Sequence, residues 1–275
     1  MIAGGLARPP GRGIRRLASL EKRLVLTLII LVAVIWTAAA TFRPGEFIHT
    51  GGLNALIEIG SSAFTPDLGG ETLRLTTIAA FRTLMYAVAG MSIALLIGIP
   101  LGIVASGTLF QSRLTRYSIV LVTRGFLAAF RAVHEIVWAV LFVFALGLSP
   151  VAGVLAIGIP YGGILGRIIA ERITDAPERP LDGLRVAGAS SFQVLLYGRL
   201  PFAAPDLISY LFYRLECAVR AAAVLSFVGL GGLGFRITIA LDDLRYDQAW
   251  TSIYALVILV AAIDIWSAQV RKRLL

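Results

Sequence analysis

Residues 24–42 read LVLTLIILVAVIWTAAATF, an apolar run without a charged side chain. About 20 apolar helical residues cross a bilayer, so this run is long enough to span one. Residues 83–112 and 136–166 are also uncharged. Because these runs are continuous rather than alternating, they are typical of membrane helices and not of a transmembrane barrel. The sequence therefore predicts an all-α, multi-pass protein of the cell membrane.

The composition of the whole chain favours the same class. Its 275 residues are 58% hydrophobic, and their mean hydropathy is +0.85. A net charge of +9 is compatible with nucleic-acid binding. The basic residues cluster at helix ends and in loops, however, which is where membrane proteins carry them on the cytoplasmic side. We therefore expect a lipid bilayer, and no nucleic acid, as a partner.

The charge distribution predicts six spans with both termini in the cytoplasm. A basic N-terminus, residues 1–23, precedes a first span at 24–42. We expect this span to be retained, because signal-peptide cores are shorter, at about 7–15 residues. An acid-rich external segment, residues 43–75, leads into a helical core, residues 76–275. Within that core we expect spans at 77–106, 125–146, 151–171, 203–228 and 249–268, a cytoplasmic loop at 174–201 and an outer segment at 229–248.

The third span is expected to carry ionisable residues into the membrane. Residues 136–146 are too short to cross alone, so the helix should begin near Gly125 and include Arg131, His134 and Glu135. Arg131 and Glu135 are four residues apart, which would place them on one helix face.

The fifth span carries Arg214, Glu216 and Arg220. The spacing of four again places Glu216 and Arg220 on one face. Charges inside membrane helices usually face the bundle interior. One interpretation is that each glutamate–arginine pair is a structural ion pair. The other is that these residues, with the charged residues and histidine of the third span, line a path for an anion, because the cations outnumber the acids.

The chain carries no motif for catalysis of its own, so we expect neither an enzyme nor a bound metal or cofactor. It lacks the Gly-x-x-x-x-Gly-Lys-Ser/Thr loop that cradles nucleotide phosphates. Its single cysteine, Cys217, excludes an internal disulfide, and its two histidines, His49 and His134, have no metal-ligand spacing.

A glycine cluster follows the fifth span. Gly229-x-Gly231-x-x-Gly234 matches the dinucleotide-binding pattern, but that pattern should follow a strand rather than a membrane helix. Together with Gly232, these glycines are interpreted as a flexible, backbone-exposed outer turn that an external partner would meet.

The loop at 174–201 is polar and basic in an otherwise apolar chain. A short amphipathic helix is expected at 182–196, with Asp182 in its first turn, where negative charge favours the helix dipole. Gly188 would let another surface approach closely. Leu200-Pro201 would end the segment and redirect the chain into the fifth span.

This loop resembles the cytoplasmic coupling loop of ABC importer permeases. That loop opens with Glu-Ala-Ala, has a glycine six residues after the glutamate and closes with Leu-Pro. Gly188 and Leu200-Pro201 fall in register, whereas Asp182 and Gly183 stand in place of the glutamate and the first alanine. The resemblance implies docking to a separate ATPase through Asp182, Gly183, Leu184, Arg185, Ala187, Gly188, Ala189, Ser190, Leu200 and Pro201.

Further stretches are similar to phosphonate ABC transporter permeases, over roughly residues 70–275. They are RAVHEIVWA (131–139), GLSP (147–150), YRLE (213–216), VRAA (219–222) and VGLGGLG (228–234). The resemblance implies a type I ABC importer permease-like bundle that forms a homodimer and imports phosphonate, phosphite or phosphate. It also implies two cytoplasmic ATPase subunits, which bind ATP and Mg²⁺, and an external substrate-binding protein. A permease for another small solute such as an amino acid, and a membrane scaffold or channel without an ATPase, stay open as alternatives.

Overall fold

The computed structural model describes residues 12–41 and 50–274, and every regular element in them is helical. Residues 1–11 of the expected N-terminal segment and residues 43–49 of the expected external segment lie outside the described residues. The described residues up to 60 and those from 61 to 274 form two compact units. The first unit contains helix α1 (Arg12–Thr41) and most of α2 (Thr50–Ser62).

The second unit is a helical bundle. Its helices are α3 (Gly70–Ser106), α4 (Arg113–Ala132), α5 (Glu135–Leu146), α6 (Pro150–Thr174), α7 (Glu178–Val186), α8 (Ser191–Val194), α9 (Leu200–Leu225), α10 (Leu233–Asp242) and α11 (Tyr246–Leu274). In the described part of the chain, five helical stretches are long and apolar enough to cross a bilayer, and α4 with α5 makes a sixth if the two count as one broken span. The predicted all-α membrane fold is thus confirmed.

Helices α3 and α6 pack with their backbones almost in contact. A Cβ atom built on Gly98 would stand 3.2 Å from the Gly162 carbonyl oxygen, and one built on Gly102 would stand 2.8 Å from the Gly166 carbonyl oxygen. Because residue numbers in the contacting pairs rise together along both helices, α3 and α6 run parallel. Small residues four apart are a common way for membrane helices to approach this closely.

The third span differs from the prediction. No single helix begins near Gly125: α4 ends at Ala132, α5 begins at Glu135, and the two are bent by 85°. The prediction that Arg131 and Glu135 share one helix face is therefore wrong. Arg131 lies in the last turn of α4 and Glu135 in the first turn of α5. Each charge thus stands at the helix end where the dipole favours it, which stabilises the break.

Side chains also satisfy the backbone groups on both sides of this break. The Nδ1 atom of His134 accepts a hydrogen bond from the Ile136 N–H, at 3.3 Å. The indole N–H of Trp138 donates to the carbonyl of Phe130, also at 3.3 Å. Helix ends leave backbone donors and acceptors without intrahelical partners, and these two side chains supply partners within the bundle.

A polar network fastens the start of α3 to the start of α11. The Asp67 carboxylate accepts hydrogen bonds from the Thr72 hydroxyl at 2.5 Å and from the Gln248 amide at 2.9 Å. The Thr251 hydroxyl donates to the Asp67 carbonyl at 2.8 Å. Hydrogen bonds from Thr72, the Gly69 N–H and Gln248 lower the pKa of Asp67. The network therefore ties the chain entering α3 to the last membrane helix.

The α3–α6 contact predicts opposite effects of one substitution at two helical glycines. Alanine stabilises an exposed helix position by about 1 kcal/mol relative to glycine, and at Gly125 the new methyl group would meet no atom within 4 Å. At Gly102 the methyl group would stand 2.8 Å from the Gly166 carbonyl oxygen, so we expect a loss of about 1–3 kcal/mol from overpacking. In detergent, Gly102→Ala should lower Tm and Gly125→Ala should not. Equal Tm changes in both variants would contradict the close backbone contact.

Candidate functional site

The segment between α6 and α9, residues 175–199, folds as two short helices joined at a glycine; we call it the coupling segment. Gly188 has φ +87°, a left-handed conformation that glycine adopts without steric cost. The Ala189 N–H donates to the Leu184 carbonyl at 3.0 Å, which is the bond that closes a helix after a left-handed residue. The chain therefore turns at Gly188 between α7 and α8.

The second helix of the coupling segment starts with a capping box. The Ser190 hydroxyl accepts from the Gln193 N–H at 3.3 Å, and the Gln193 side chain accepts from the Ser190 N–H at 2.8 Å. Both residues thereby satisfy donors that the first helical turn leaves unpaired.

Two predictions for this segment are wrong. The single helix expected at 182–196 is interrupted at Gly188, and its first part begins earlier, at Glu178. Leu200-Pro201 does not redirect the chain, because both residues open α9 directly after a π-helical turn at Leu195–Arg199. The helix runs on from α8 through this turn, since the Leu200 N–H donates to the Leu195 carbonyl.

The inner side of the coupling segment is a small apolar core. Leu181 is 1% exposed and packs with the buried Ala176 and Val194. Gly198 in the π-helical turn lies so close to the Leu181 side chain that a Cβ has no room there. This packing holds α7 against the start of α9.

A chain of ion pairs crosses the coupling segment. The buried Arg199 guanidinium donates to the Ile173 carbonyl at 3.1 Å and to the Glu178 carboxylate at 2.6 Å. Arg185 donates to Glu178 at 2.9 Å and to Asp182 at 2.7 Å. The hydrogen bond from Arg199, and then that from Arg185, lowers the pKa of Glu178. The pairs therefore link the end of α6, both sides of α7 and the start of α9.

The outer side of the coupling segment exposes large apolar side chains. Val186 is 90% exposed, Phe192 60% and Tyr197 70%. Val186 lies on α7, Phe192 on α8 and Tyr197 on the π-helical turn, so each of these elements exposes at least one large apolar side chain. Six of the predicted docking residues are exposed: Asp182, Gly183, Arg185, Ala187, Gly188 and Ser190. Two, Leu184 and Ala189, are partly buried beside the small core. The last two, Leu200 and Pro201, belong to α9.

Arg214 in α9 is held by two tyrosines. Its Nε donates to the Tyr210 hydroxyl at 2.9 Å. Its guanidinium carbon lies 5.3 Å from the ring centroid of Tyr161 in α6 and 5.5 Å from that of Tyr210. Cation–π contacts of this kind contribute about 0.5–2 kcal/mol. The hydrogen bond to Tyr210 uses Nε, one of the five N–H donors of the guanidinium.

Of the two interpretations of Glu216 and Arg220, the structure does not show the ion pair between their side chains. The buried Glu216 carboxylate lies 3.3 Å from the Arg271 guanidinium of α11 and also accepts from the Ser267 hydroxyl. Arg220 instead donates, at 3.5 Å, to the Glu216 backbone carbonyl. The neutralising cation comes from another helix because α11 packs along α9. Within residues 12–41 and 50–274, no carboxylate forms an ion pair with Arg220.

His134 and Glu135 are neighbours at the break between α4 and α5. The Nε2 atom of His134 lies 3.7 Å from the Glu135 carboxylate, while Nδ1 caps α5. Both nitrogens thus have a partner within two residues along the chain.

Arg131 is brought together with two arginines that the sequence marked only as basic loop or helix-end residues. Arg124, Arg131 and Arg167 surround a cavity of about 250 Å³ between α4 and α6. Glu171 is the one acidic residue in its lining, which is completed by Leu127 and Ala170. None of the residues that line this cavity belongs to α9, which carries Arg214 and Arg220.

The glycine turn after α9 is not the flexible, exposed turn predicted. Gly231, Gly232 and Gly234 are buried, and the Tyr86 hydroxyl donates to the Leu230 carbonyl at 2.7 Å. Gly229, Gly231 and Gly232 have φ of +94°, +78° and +111°. A Cβ on Gly234 would collide with the Ala223 carbonyl. These glycines are thus required by a tight, buried backbone path rather than by mobility.

Sequence reasoning missed several partners of these residues. Tyr210 stands four residues before Arg214, a helical spacing that could have indicated their contact. Tyr161, Glu178 and Arg271 reach their partners across long sequence separations. A single sequence carries no periodic signal for such contacts.

Comparison with known proteins places this geometry in a family. Residues 94–274 match the family described as the binding-protein-dependent transport system inner membrane component. The putative phosphite transport system permease protein HtxC of Stutzerimonas stutzeri is 32% identical over 95% of this chain and 91% of its own length. The phosphate-import permease protein PhnE of Mycolicibacterium smegmatis is 31% identical over 71% of this chain and 36% of its own length.

A solved structure shares the fold. A chain of the MetNI methionine ABC transporter in an inward-facing conformation has a TM-score of 0.65 at 19% identity, and the match covers 75% of this chain and 99% of that chain. This confirms the predicted type I importer permease bundle.

The Glu178 carboxylate predicts that the coupling segment loosens in acid. The hydrogen bond from Arg199 lowers the pKa of Glu178 below its ordinary value of 4.5. The ionised carboxylate therefore stabilises the folded segment fully above pH 4.5, and this stabilisation is lost as the pH falls through the lowered pKa. Hydrogen-exchange protection of residues 178–199 should therefore drop below about pH 4.5. Glu178→Gln should show the lower protection already at neutral pH and no acid step. Asp182→Asn leaves the Arg199 pair intact and is the matched control; an acid step that survives in Glu178→Gln would contradict the assignment.

Proposed function

The chain belongs to the family of binding-protein-dependent transport system inner membrane components and is a permease subunit of an ATP-driven importer, and we propose that its cargo is phosphonate or a related phosphorus oxyanion, phosphite or phosphate. The relatives named for phosphite transport and phosphate import support this class of cargo. The match of the family to residues 94–274 also confirms the resemblance to ABC importer permeases.

The observation that carries the proposed cargo is Arg220. This guanidinium lies within a membrane-spanning helix, is exposed on the single chain, and has no carboxylate partner among the residues that the structure describes. A charge inside a membrane helix is costly and usually serves a pathway or pairs with another charge. A planar guanidinium fork suits the oxygens of a phosphorus oxyanion. Arg214, held by Tyr161 and Tyr210, supplies a second cation on the same helix.

We further propose that two copies of the chain form one translocation path. Tyr213, Arg220 and Phe227 recur every seventh residue of the α9 region and are exposed on the single chain. They therefore form one unpartnered face that combines apolar rings with a cation. A second copy related by twofold symmetry would cover the rings and set two Arg220 guanidiniums on either side of a central passage.

The remaining partners follow from the two ends of the bundle. The exposed apolar face of the coupling segment, with Val186 and Phe192, is proposed to dock on a cytoplasmic ATPase, which binds ATP and Mg²⁺. Both termini of the chain would then be cytoplasmic. An external substrate-binding protein would deliver the oxyanion at the opposite end, where α6 begins at Pro150.

Removing the Arg220 guanidinium tests the proposed cargo. A hydrogen bond to a charged group contributes about 1.5–3 kcal/mol, so Arg220→Ala should lower phosphite uptake by the reconstituted complex roughly ten- to hundredfold. Assembly and basal ATP hydrolysis should persist. Lys272→Ala, which removes an exposed cation near the end of α11, is the control. If Arg220→Ala and Arg214→Ala both import phosphite, phosphate and methylphosphonate at the normal rate, the arginines are structural and the proposal fails.

The turn at Gly188 tests the proposed docking. Asparagine tolerates the left-handed conformation, whereas a β-branched residue does not. Gly188→Val should therefore displace the exposed face and uncouple ATP hydrolysis from uptake, and Gly188→Asn should retain most of the uptake. Both rates are measured on the same reconstituted complex. Normal coupling in Gly188→Val would count against docking through this turn.

A further inference from the structure

We infer that the cavity between α4 and α6 lined by Arg124, Arg131 and Arg167, the inner arginine cavity, is a binding site for a phosphorus oxyanion. It is distinct from the proposed passage at Arg214 and Arg220, because none of its lining residues belongs to α9. This inference rests on the proposed function in one respect: that the bound anion can be the transported cargo.

The charge of the cavity is unbalanced. Three guanidiniums face one carboxylate, that of Glu171. The Arg167 Nε atom donates to Glu171 at 2.6 Å, so this carboxylate is already engaged. In the described part of the chain, neither Arg124 nor Arg131 forms an ion pair with a carboxylate. A bound anion would complete the charge balance.

Two of the guanidiniums are oriented before any ligand arrives. The Arg124 Nε atom donates to the Ala105 carbonyl at 3.1 Å, near the end of α3, and the Arg167 Nε atom donates to Glu171. Each anchor uses Nε, which leaves the terminal NH2 groups as donors. Paired terminal donors match the oxygens of a phosphoryl group.

The walls of the cavity are fixed by close packing. Leu127 is 1% exposed, and its side chain touches Gly166, where a Cβ would stand 2.7 Å from the leucine Cδ2. Gly163 approaches the Leu127 carbonyl in the same way. The α4 helix therefore cannot retreat from α6 without breaking this contact, and its arginines keep their spacing.

The position of the cavity limits the source of the anion. Arg167 and Glu171 lie in the last turns of α6, and Ala105 lies at the end of α3. The cavity thus opens at the end of the bundle that carries the coupling segment. Two sources of a phosphorus oxyanion are present there: cargo leaving the path, and the headgroup of a phospholipid in that leaflet.

The two sources can be separated with the complete complex in vesicles. We would measure Tm in phosphatidylcholine alone, with inorganic phosphate added, and with phosphatidylglycerol included. Arg124→Gln combined with Arg131→Gln should lose at least half of the Tm increase caused by one of these ligands. Loss of the phosphate-induced increase assigns the site to a transported anion, and loss of the phosphatidylglycerol-induced increase assigns it to a lipid headgroup. Increases equal to those of the unmodified complex overturn the inference.

Two further variants guard against a simple folding defect. Glu171→Gln removes the competing carboxylate and should enlarge the same Tm increase; an unchanged or smaller increase also overturns the inference. Arg113→Gln removes a cation from α4 outside the cavity and should change nothing. Phosphite uptake by the unmodified complex is measured in parallel. If phosphite is taken up but the Tm increase does not depend on the cavity arginines, only the proposed cavity site is rejected. If the Tm increase depends on them but no phosphorus oxyanion is taken up, only the proposed cargo is rejected.

Discussion

The near contact between the α3 and α6 backbones is the constraint on which the remaining bundle depends. Gly102 and Gly166 can approach to the observed separation only because neither residue has a Cβ atom. With α6 held in this way, α4 packs Leu127 against Gly166, and Tyr161 is presented to α9. Glycine has a conformational cost inside a helix. The bundle offsets it with van der Waals contact along two parallel helices, which is the main source of helix association in lipid.

Hydropathy was enough to predict the spans but not their interruptions. The uncharged runs at 83–112 and 136–166 fall in or across α3, α5 and α6, because hydrocarbon selects for apolar side chains regardless of partners. The break before Glu135 was missed because the elements that stabilise it, such as the Trp138 indole on the Phe130 carbonyl, depend on a bend that local propensity does not encode.

The site residues show the same division. Gly188 was expected inside one helix at 182–196, as a point of close approach for another surface, whereas its left-handed conformation separates α7 from α8. The spacing of four left a Glu216–Arg220 pair open as one interpretation, since it gives proximity but cannot reveal a competing cation such as Arg271. Charge pairing in a bundle is decided by which helices are adjacent, and that is a property of the whole fold.

Arg199 has a mechanical consequence. It directly precedes α9, yet its guanidinium donates hydrogen bonds to the Ile173 carbonyl at the end of α6 and to the Glu178 carboxylate in α7. A force on the coupling segment would therefore displace α6 and α9 together. The Arg214–Tyr161 contact between these two helices would keep its geometry. The contact of Leu127 with Gly166 joins α4 to the same unit, so a displacement of the coupling segment would carry α4, α6 and α9 together.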